Sequence, residues 1–146
     1  PRHKEIIENL NKMKVKIKFI SDGDVAGVIS VIDENCPEDI YIGIGGAPEG
    51  VLAAAALSCY GGQMQTRLCL DNSQKKRAIK MGITDVQKKY NIEDMIKGDV
   101  MFCASGVTNG SLVNGIKDIG QTYEASTFAL HKKSNTIKKI TNTHNK

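Results

Sequence analysis

YIGIGGAPEGVLAAAAL, residues 41–57, decides the fold. An apolar, β-prone run ends in Gly43, Gly45 and Gly46, and Pro48 then opens an alanine-rich segment. Proline suits the first turn of a helix, where the backbone N–H groups lack intrahelical partners. The stretch therefore reads as a buried strand over 40–44, a glycine turn, and a helix over 48–60 closed by Gly61 and Gly62. Glu49 sits just inside that helix, where free N–H groups favour an anion. Two readings of this acid stand. It complements the helix dipole beside a tight turn, or it serves a divalent cation that also meets a bound phosphate, because a bare carboxylate would repel one. The loop is neither of the common nucleotide motifs. Counting G-x-G-x-x-G from Gly43 places Pro48 at the last glycine, and no G-K-[ST] follows.

Upstream, Ile6, Ile7, Leu10 and Met13 form one stripe of an amphipathic helix, and VKIKFI (15–20) alternates with the period of a strand. The turn signal SDGD leads into a short apolar helix, VAGVISVI, and DENCPED forms a loop before the strand at 40–44. Helix and strand thus alternate, as in a three-layer α/β/α domain with a mixed, largely parallel sheet. Downstream, QMQTRLCL (63–70) and DVMFCAS (99–105) read as strands, with NSQKKRAIKMG and NIEDMIKG as helices between them. GVTNGS is a turn, and TYEASTFAL and TIKKIT around KKSN make a terminal hairpin. No internal repeat or linker interrupts the 146 residues, which we take as one domain, 1–146.

Composition narrows the class. A chain this long buries roughly 70% of its unfolded surface and needs no covalent staples. Cys36, Cys59, Cys69 and Cys103 show no C-x-x-C pairing and sit mostly in apolar runs, so they read as reduced core residues of a cytoplasmic protein. No apolar run reaches the about 20 residues that span a bilayer, so no membrane partner is expected. The net charge of +4 comes from dispersed lysines without an aromatic stacking series, which excludes a nucleic-acid reading. The opening PRHKEII, with a helix starting within a few residues, reads as a cut through a larger protein.

Ligands of open α/β sheets gather beyond the carboxyl ends of the strands. Three such loops carry chemistry: Asp22-Gly23-Asp24, Gly43 to Glu49, and Ser105 to Gly110. The acids of the first either make a turn and cap the next helix, or bind a polyol or metal. Arg2 offers a bidentate phosphate clamp or is merely solvated. Ser105, Thr108 and Asn109 offer polar contacts within what is first of all a turn. His131 and His144 lack ligand spacing, and neither G-x-S-x-G nor H-E-x-x-H occurs.

PRHKEII, ISDGDVAG, GIGGAPEGVLAAAAL, MGI, GVTNGSLVNGI and TIKKI, in this order, resemble the C-terminal half of a class II fructose-1,6-bisphosphatase of the bacterial type. The resemblance implies the fold of the lithium-sensitive sugar phosphatases, Mn²⁺ or Mg²⁺ as cofactor, and hydrolysis of the 1-phosphate of fructose 1,6-bisphosphate in gluconeogenesis. It implies Glu49 as the metal ligand of this half, and Pro1, Arg2, Asp22, Gly23, Asp24 and Gly46 as substrate contacts. The basic residue that precedes Pro1 in the family's stretch is missing here. CASGVTNGSL also departs from the usual T-G-[VI]-T-x-G-D-L, with Ser105 in place of Thr and Ser111 in place of Asp. The other metal ligands, including the D-P-[LI]-[DE]-G-T motif, belong to an N-terminal metal-binding domain absent from these residues, so the chain alone is expected to be inactive. The expected partners are the substrate, the missing N-terminal half and further copies of the chain. Alternatives are a bifunctional fructose/sedoheptulose bisphosphatase and a non-catalytic sugar-phosphate binding module.

Overall fold

A computed structural model describes residues 2–21 and 23–146; Pro1 and Asp22 lie outside the described residues. Its organising element is the alanine-rich helix. In chain order the structure runs α1 (Lys4–Lys12), α2 (Asp24–Ser30), α3 (Ala47–Tyr60), β1 (Gln65–Arg67), α4 (Asn72–Lys80), β2 (Lys89–Asn91), α5 (Ile92–Met95), β3 (Met101–Ser105), β4 (Lys117–Ile119), β5 (Thr122–His131) and β6 (Thr136–Asn145). Helix α3 ends where Gly61 turns left-handed at φ 77°, its N–H bonding the carbonyl of Leu57. Glycine tolerates that conformation without the steric penalty of a Cβ.

Because α3 is small and apolar on nearly every side, neighbours approach it closely. Ala56 and Cys59 join Ile29 of α2 with Phe102, Phe128 and Leu130 of the sheet in one cluster. Ala54 and Leu57 meet Ile92 of α5 in a second. The helix is the wall between two half-cores, and both lose their footing if it moves.

β3 and β4 pair with one side of β5, and β6 pairs with its other side along its whole length. The short strands β1 and β2 form a separate ladder. The α/β class holds, but the largely parallel sheet does not emerge: every ladder among the described residues is antiparallel. The connections explain the C-terminal part, since only Gly120 and Gln121 separate β4 from β5. A parallel neighbour needs a crossover of about a dozen residues or more.

Residues 15–20 and 40–44, expected as strands, join no ladder. Val15, Phe19, Ile20, Ile40 and Ile42 remain exposed. An alternating segment is held as a strand by a layer covering its apolar face, and among the described residues none covers these. Lys18 instead pairs with Glu38 at 2.7 Å, tying the first segment to the loop that leads into the second. The reading of the cysteines as core residues also needs correction. All four are free thiols, yet only Cys59 is buried, while Cys36 is half-buried and Cys69 and Cys103 are exposed. Strand alternation turns Cys103 outward between the inward-facing Phe102 and Ala104. Among the described residues no helix is long and apolar enough to cross a membrane.

At the far end of the sheet Asp99 accepts hydrogen bonds from His131 Nε2 at 2.8 Å and from the N–H groups of Val100 at 2.9 Å and Lys133 at 3.1 Å. These bonds, that of His131 foremost, hold its carboxyl below the ordinary 3.8. A carboxyl depressed in the folded state stabilises above its unfolded value, and that contribution is lost as the pH falls through the lower folded value.

Two outcomes follow. Leu130→Ala, at a side chain only 1% exposed, should cost about 3 kcal/mol in denaturant unfolding, whereas Met101→Ala should stay within about 0.5 kcal/mol. Asp99→Asn should flatten the acid side of the stability profile below about pH 4, measured by urea midpoints across pH; an unchanged acid slope would refute the assignment.

Candidate functional site

Helix α1 begins at His3, whose Nε2 accepts the N–H of Ile44 at 2.8 Å across 41 positions of chain. The bond fastens the start of α1 to the glycine loop and brings Arg2 to the same cavity as Gly23, Asp24, Gly46 and Glu49. This cavity has a volume of about 650 Å³, and the segment 104–113 forms its far wall. Residues of all three loops line this cavity, although the parallel strand ends expected to gather them are not formed among the described residues. Pro1 and Asp22, the two other expected contacts, lie outside the described residues.

The paired glycines have a specific steric role. A Cβ on Gly45 would lie 2.8 Å from Oδ2 of Asp24, and one on Gly46 would collide with the carboxylate of Glu49. Two acids thus rest against adjacent glycines, one reaching in from α2 and the other folding back from the first turn of α3. Asp24 does not act as a helix cap. That position belongs to Gly23, at φ 82°, and no side-chain cap bond forms. The turn-and-cap reading of Asp24 gives way to one in which its carboxylate faces the glycine loop. Glu49 likewise leaves the N-cap position to Gly46, whose carbonyl receives the N–H of Gly50 at 3.1 Å.

Tyr41 escaped the sequence reading. Its ring sits between Gly27 and Gly43: a Cβ on Gly27 would lie 3.0 Å from the ring, and one on Gly43 would lie 2.9 Å from the hydroxyl. Burial and then the charge of the neighbouring Asp24 push the phenol up, with Arg2 pulling the other way. Tyr41 therefore joins the carboxylate and guanidinium in one electrostatic neighbourhood. The glycines at 27 and 43 were the only sequence signal, and they lie on either side of it at unequal distances.

The 105–113 segment is held by bonds within itself, to Gly115 and to β5. Ser105 Oγ lies 2.8 Å from Thr127 Oγ1, Asn109 Oδ1 accepts the N–H of Gly115 at 2.9 Å, and Gly110 donates to Val113 at 3.0 Å. Ser105 and Asn109 are thereby committed to shaping the wall. His131 is held by Asp99 and Ser134 far along the sheet, and His144 lies on β6. Neither lines the cavity.

On the other side of the same two carboxylates lies a second cavity of about 570 Å³, lined by Tyr41, Val51, Met64, Leu68 and Ile83 among others. Among the described residues no three His, Cys, Asp or Glu side chains are grouped to hold a metal ion. The donor set at the glycine loop, Asp24 and Glu49, fits part of a hard-cation shell, which takes six or more oxygens. It does not make a whole one.

Similarity to known proteins bears on the same residues. A family model described as bacterial fructose-1,6-bisphosphatase, glpX-encoded, matches residues 1–144. The chain is 36% identical to the class 2 fructose-1,6-bisphosphatase of Haemophilus influenzae over 159 aligned positions, which take in 99% of this chain and 47% of that protein. It is 32% identical to the D-fructose 1,6-bisphosphatase class 2/sedoheptulose 1,7-bisphosphatase of Synechocystis sp., over 100% of this chain and 46% of that protein. A protein of the same name from Microcystis aeruginosa is also 32% identical. The chain spans about half the length of the curated relatives it matches. With a match that runs through the Arg2, Asp24, Gly46 and Glu49 positions and on to residue 144, the chain belongs to the glpX-encoded family of bacterial fructose-1,6-bisphosphatases.

Proposed function

We propose that residues 1–146 are the C-terminal, substrate-binding domain of a cytoplasmic, metal-dependent sugar bisphosphatase. It releases the 1-phosphate of fructose 1,6-bisphosphate, an activity of gluconeogenesis. The observation that carries this reading is the convergence of Arg2, Asp24, Gly46 and Glu49 on one cavity, with both carboxylates seated on the glycine loop. An N-terminal domain outside this chain supplies the remaining metal ligands. When it docks, the extended segments 15–20 and 40–44 gain the covering layer they lack and join the sheet, giving the three-layer architecture.

In this reading Arg2 clamps a phosphate through two N–H donors, a geometry that a guanidinium matches and an ammonium does not. Asp24, with Asp22 two positions earlier in the sequence, accepts hydrogen bonds from sugar hydroxyls and fixes which end of the bisphosphate faces Glu49. Gly46 lets the substrate approach the loop backbone at the N-terminus of α3, where the N–H groups favour an anion. Glu49 would hold Mn²⁺ or Mg²⁺ together with ligands from the other half. Such a cation, when bound, polarises the phosphate and lowers the pKa of an attacking water. In the overall reaction the water oxygen joins phosphorus, the bond from phosphorus to the C1 oxygen breaks, and that oxygen leaves as a hydroxyl. A second reading, dual action on sedoheptulose 1,7-bisphosphate, is favoured by the names of the cyanobacterial relatives. Competition between the two bisphosphates in the full-length protein distinguishes it.

Phosphate release by the full-length protein with Mn²⁺ tests the assignment. Glu49→Ala should lower kcat by at least about 100-fold, while Asp24→Asn should act chiefly by raising KM. Full activity in Glu49→Ala would sink the metal assignment. The 146-residue chain alone should release no phosphate above background and should gain activity when mixed with an N-terminal half; turnover by the chain alone would mean that a complete site exists within it.

Gly46→Ala should lower kcat/KM by more than about tenfold without lowering stability, because the new Cβ displaces the Glu49 carboxylate. Tyr41→Phe should leave the fold intact and raise KM. A Gly46→Ala enzyme of normal efficiency would show that Glu49 does not work from the position seen here.

A further inference from the structure

The loop that follows β3 lines the Arg2–Glu49 cavity without bringing any charge to it. From Val100 to Ile116 the chain carries neither an acid nor a base, so the charges around the cavity come from Arg2, Asp24 and Glu49. Two glycines fix the shape of this loop. A Cβ on Gly106 would collide with the carbonyl of Asn114, and one on Gly115 would lie 2.6 Å from the carbonyl carbon of Thr108 and 2.7 Å from the nitrogen of Asn109. The outgoing and returning legs therefore pack backbone against backbone. They are also joined by Ile116 N–H donating to the carbonyl of Val107 at 3.2 Å and by Gly115 N–H donating to Asn109 Oδ1 at 2.9 Å.

Within this clamp the polar side chains have unequal duties. Ser105 is occupied by Thr127 and Asn109 by Gly115. Thr108, between them in the chain, makes no side-chain hydrogen bond to another described residue, and it lines the cavity. Beside it Val107, 77% exposed, lines the same cavity. Ser111 is shared with a smaller cavity next to Tyr60.

We propose that Thr108 is a substrate-contacting residue whose hydroxyl, with the Val107 methyl groups next to it, recognises the uncharged carbon chain of a sugar bisphosphate rather than its phosphates. The inference rests on the sugar bisphosphatase reading of the cavity given above. A phosphate dianion calls for a guanidinium or a cation, and a loop without a base offers neither. A chain of CHOH units presents hydroxyl and C–H surface side by side, which a hydroxyl flanked by methyl groups matches. Because Gly115 holds the Thr108 backbone in place before any ligand arrives, the contact costs little ordering entropy. A ligand that excludes water from this hydroxyl without bonding to it leaves it unpaired, and that penalty separates one sugar from another.

Steady-state kinetics of the full-length protein with Mn²⁺ test the assignment. Thr108→Val keeps the side-chain shape and removes the hydroxyl; Thr108→Ser keeps the hydroxyl. Thr108→Val should raise KM for fructose 1,6-bisphosphate about three- to tenfold, with the loss in KM rather than kcat. Inhibition by inorganic phosphate, which has no carbon chain, should stay at the parent level. Thr108→Ser should bring KM back to within about twofold of the parent. Equal urea midpoints for the three proteins should show that the loop is intact. An unchanged KM in Thr108→Val, or a Thr108→Ser protein as impaired as Thr108→Val, would overturn the contact. Phosphate inhibition that weakens in step with KM would overturn its assignment to the carbon chain. A parent that does not hydrolyse the bisphosphate fails at the earlier reading of the cavity and takes this proposal with it, whereas an active parent with indifferent variants removes Thr108 alone.

Discussion

The structure depends on the fixed start of one helix. α3 is wedged between two hydrophobic clusters by its alanines, and its far end is stopped by Gly61. With the helix body immovable, its first turn holds Glu49 against Gly46, and the loop ahead of it offers Gly45 to Asp24. Two carboxylates are thereby seated against neighbouring peptide units. The hydrophobic packing of residues 53–59 thus fixes where the first turn of the helix presents its acid.

The elements that sequence predicts well are those whose causes are local. Pro48 and the glycines at 61–62 bracket α3 in both readings, the terminal hairpin follows from strand alternation on either side of KKSN, and the Asp71–Gln74 capping box starts α4 where the polar run begins. The missed features have distant causes. Residues 15–20 and 40–44 have strand patterns, but a pattern only states which face seeks cover; whether cover exists depends on other parts of the polypeptide. Asp24 sits where a helix cap is expected, and local competition would keep it there. Its carboxylate turns instead toward a loop 21 residues later, which no window of sequence contains. Tyr41 lies between two glycines, one two residues on in the chain and the other, Gly27, near it only in space.

The family relationship and the geometry constrain different things. Similarity extends along the whole chain and identifies its kin, whereas the chain amounts to about half of each relative. Arg2, Asp24 and Glu49 line one open cavity, and the exposed apolar residues 19, 20, 40 and 42 lie on extended segments that join no ladder among the described residues.

The hydrogen bond from Ile44 to His3 has a mechanical meaning. It ties the entry of the chain to the loop that seats both acids, so the guanidinium of Arg2 and the carboxylate of Glu49 ride on one lever rather than on two independent arms. A displacement of the chain entry is thereby passed to the glycine loop through a single bond.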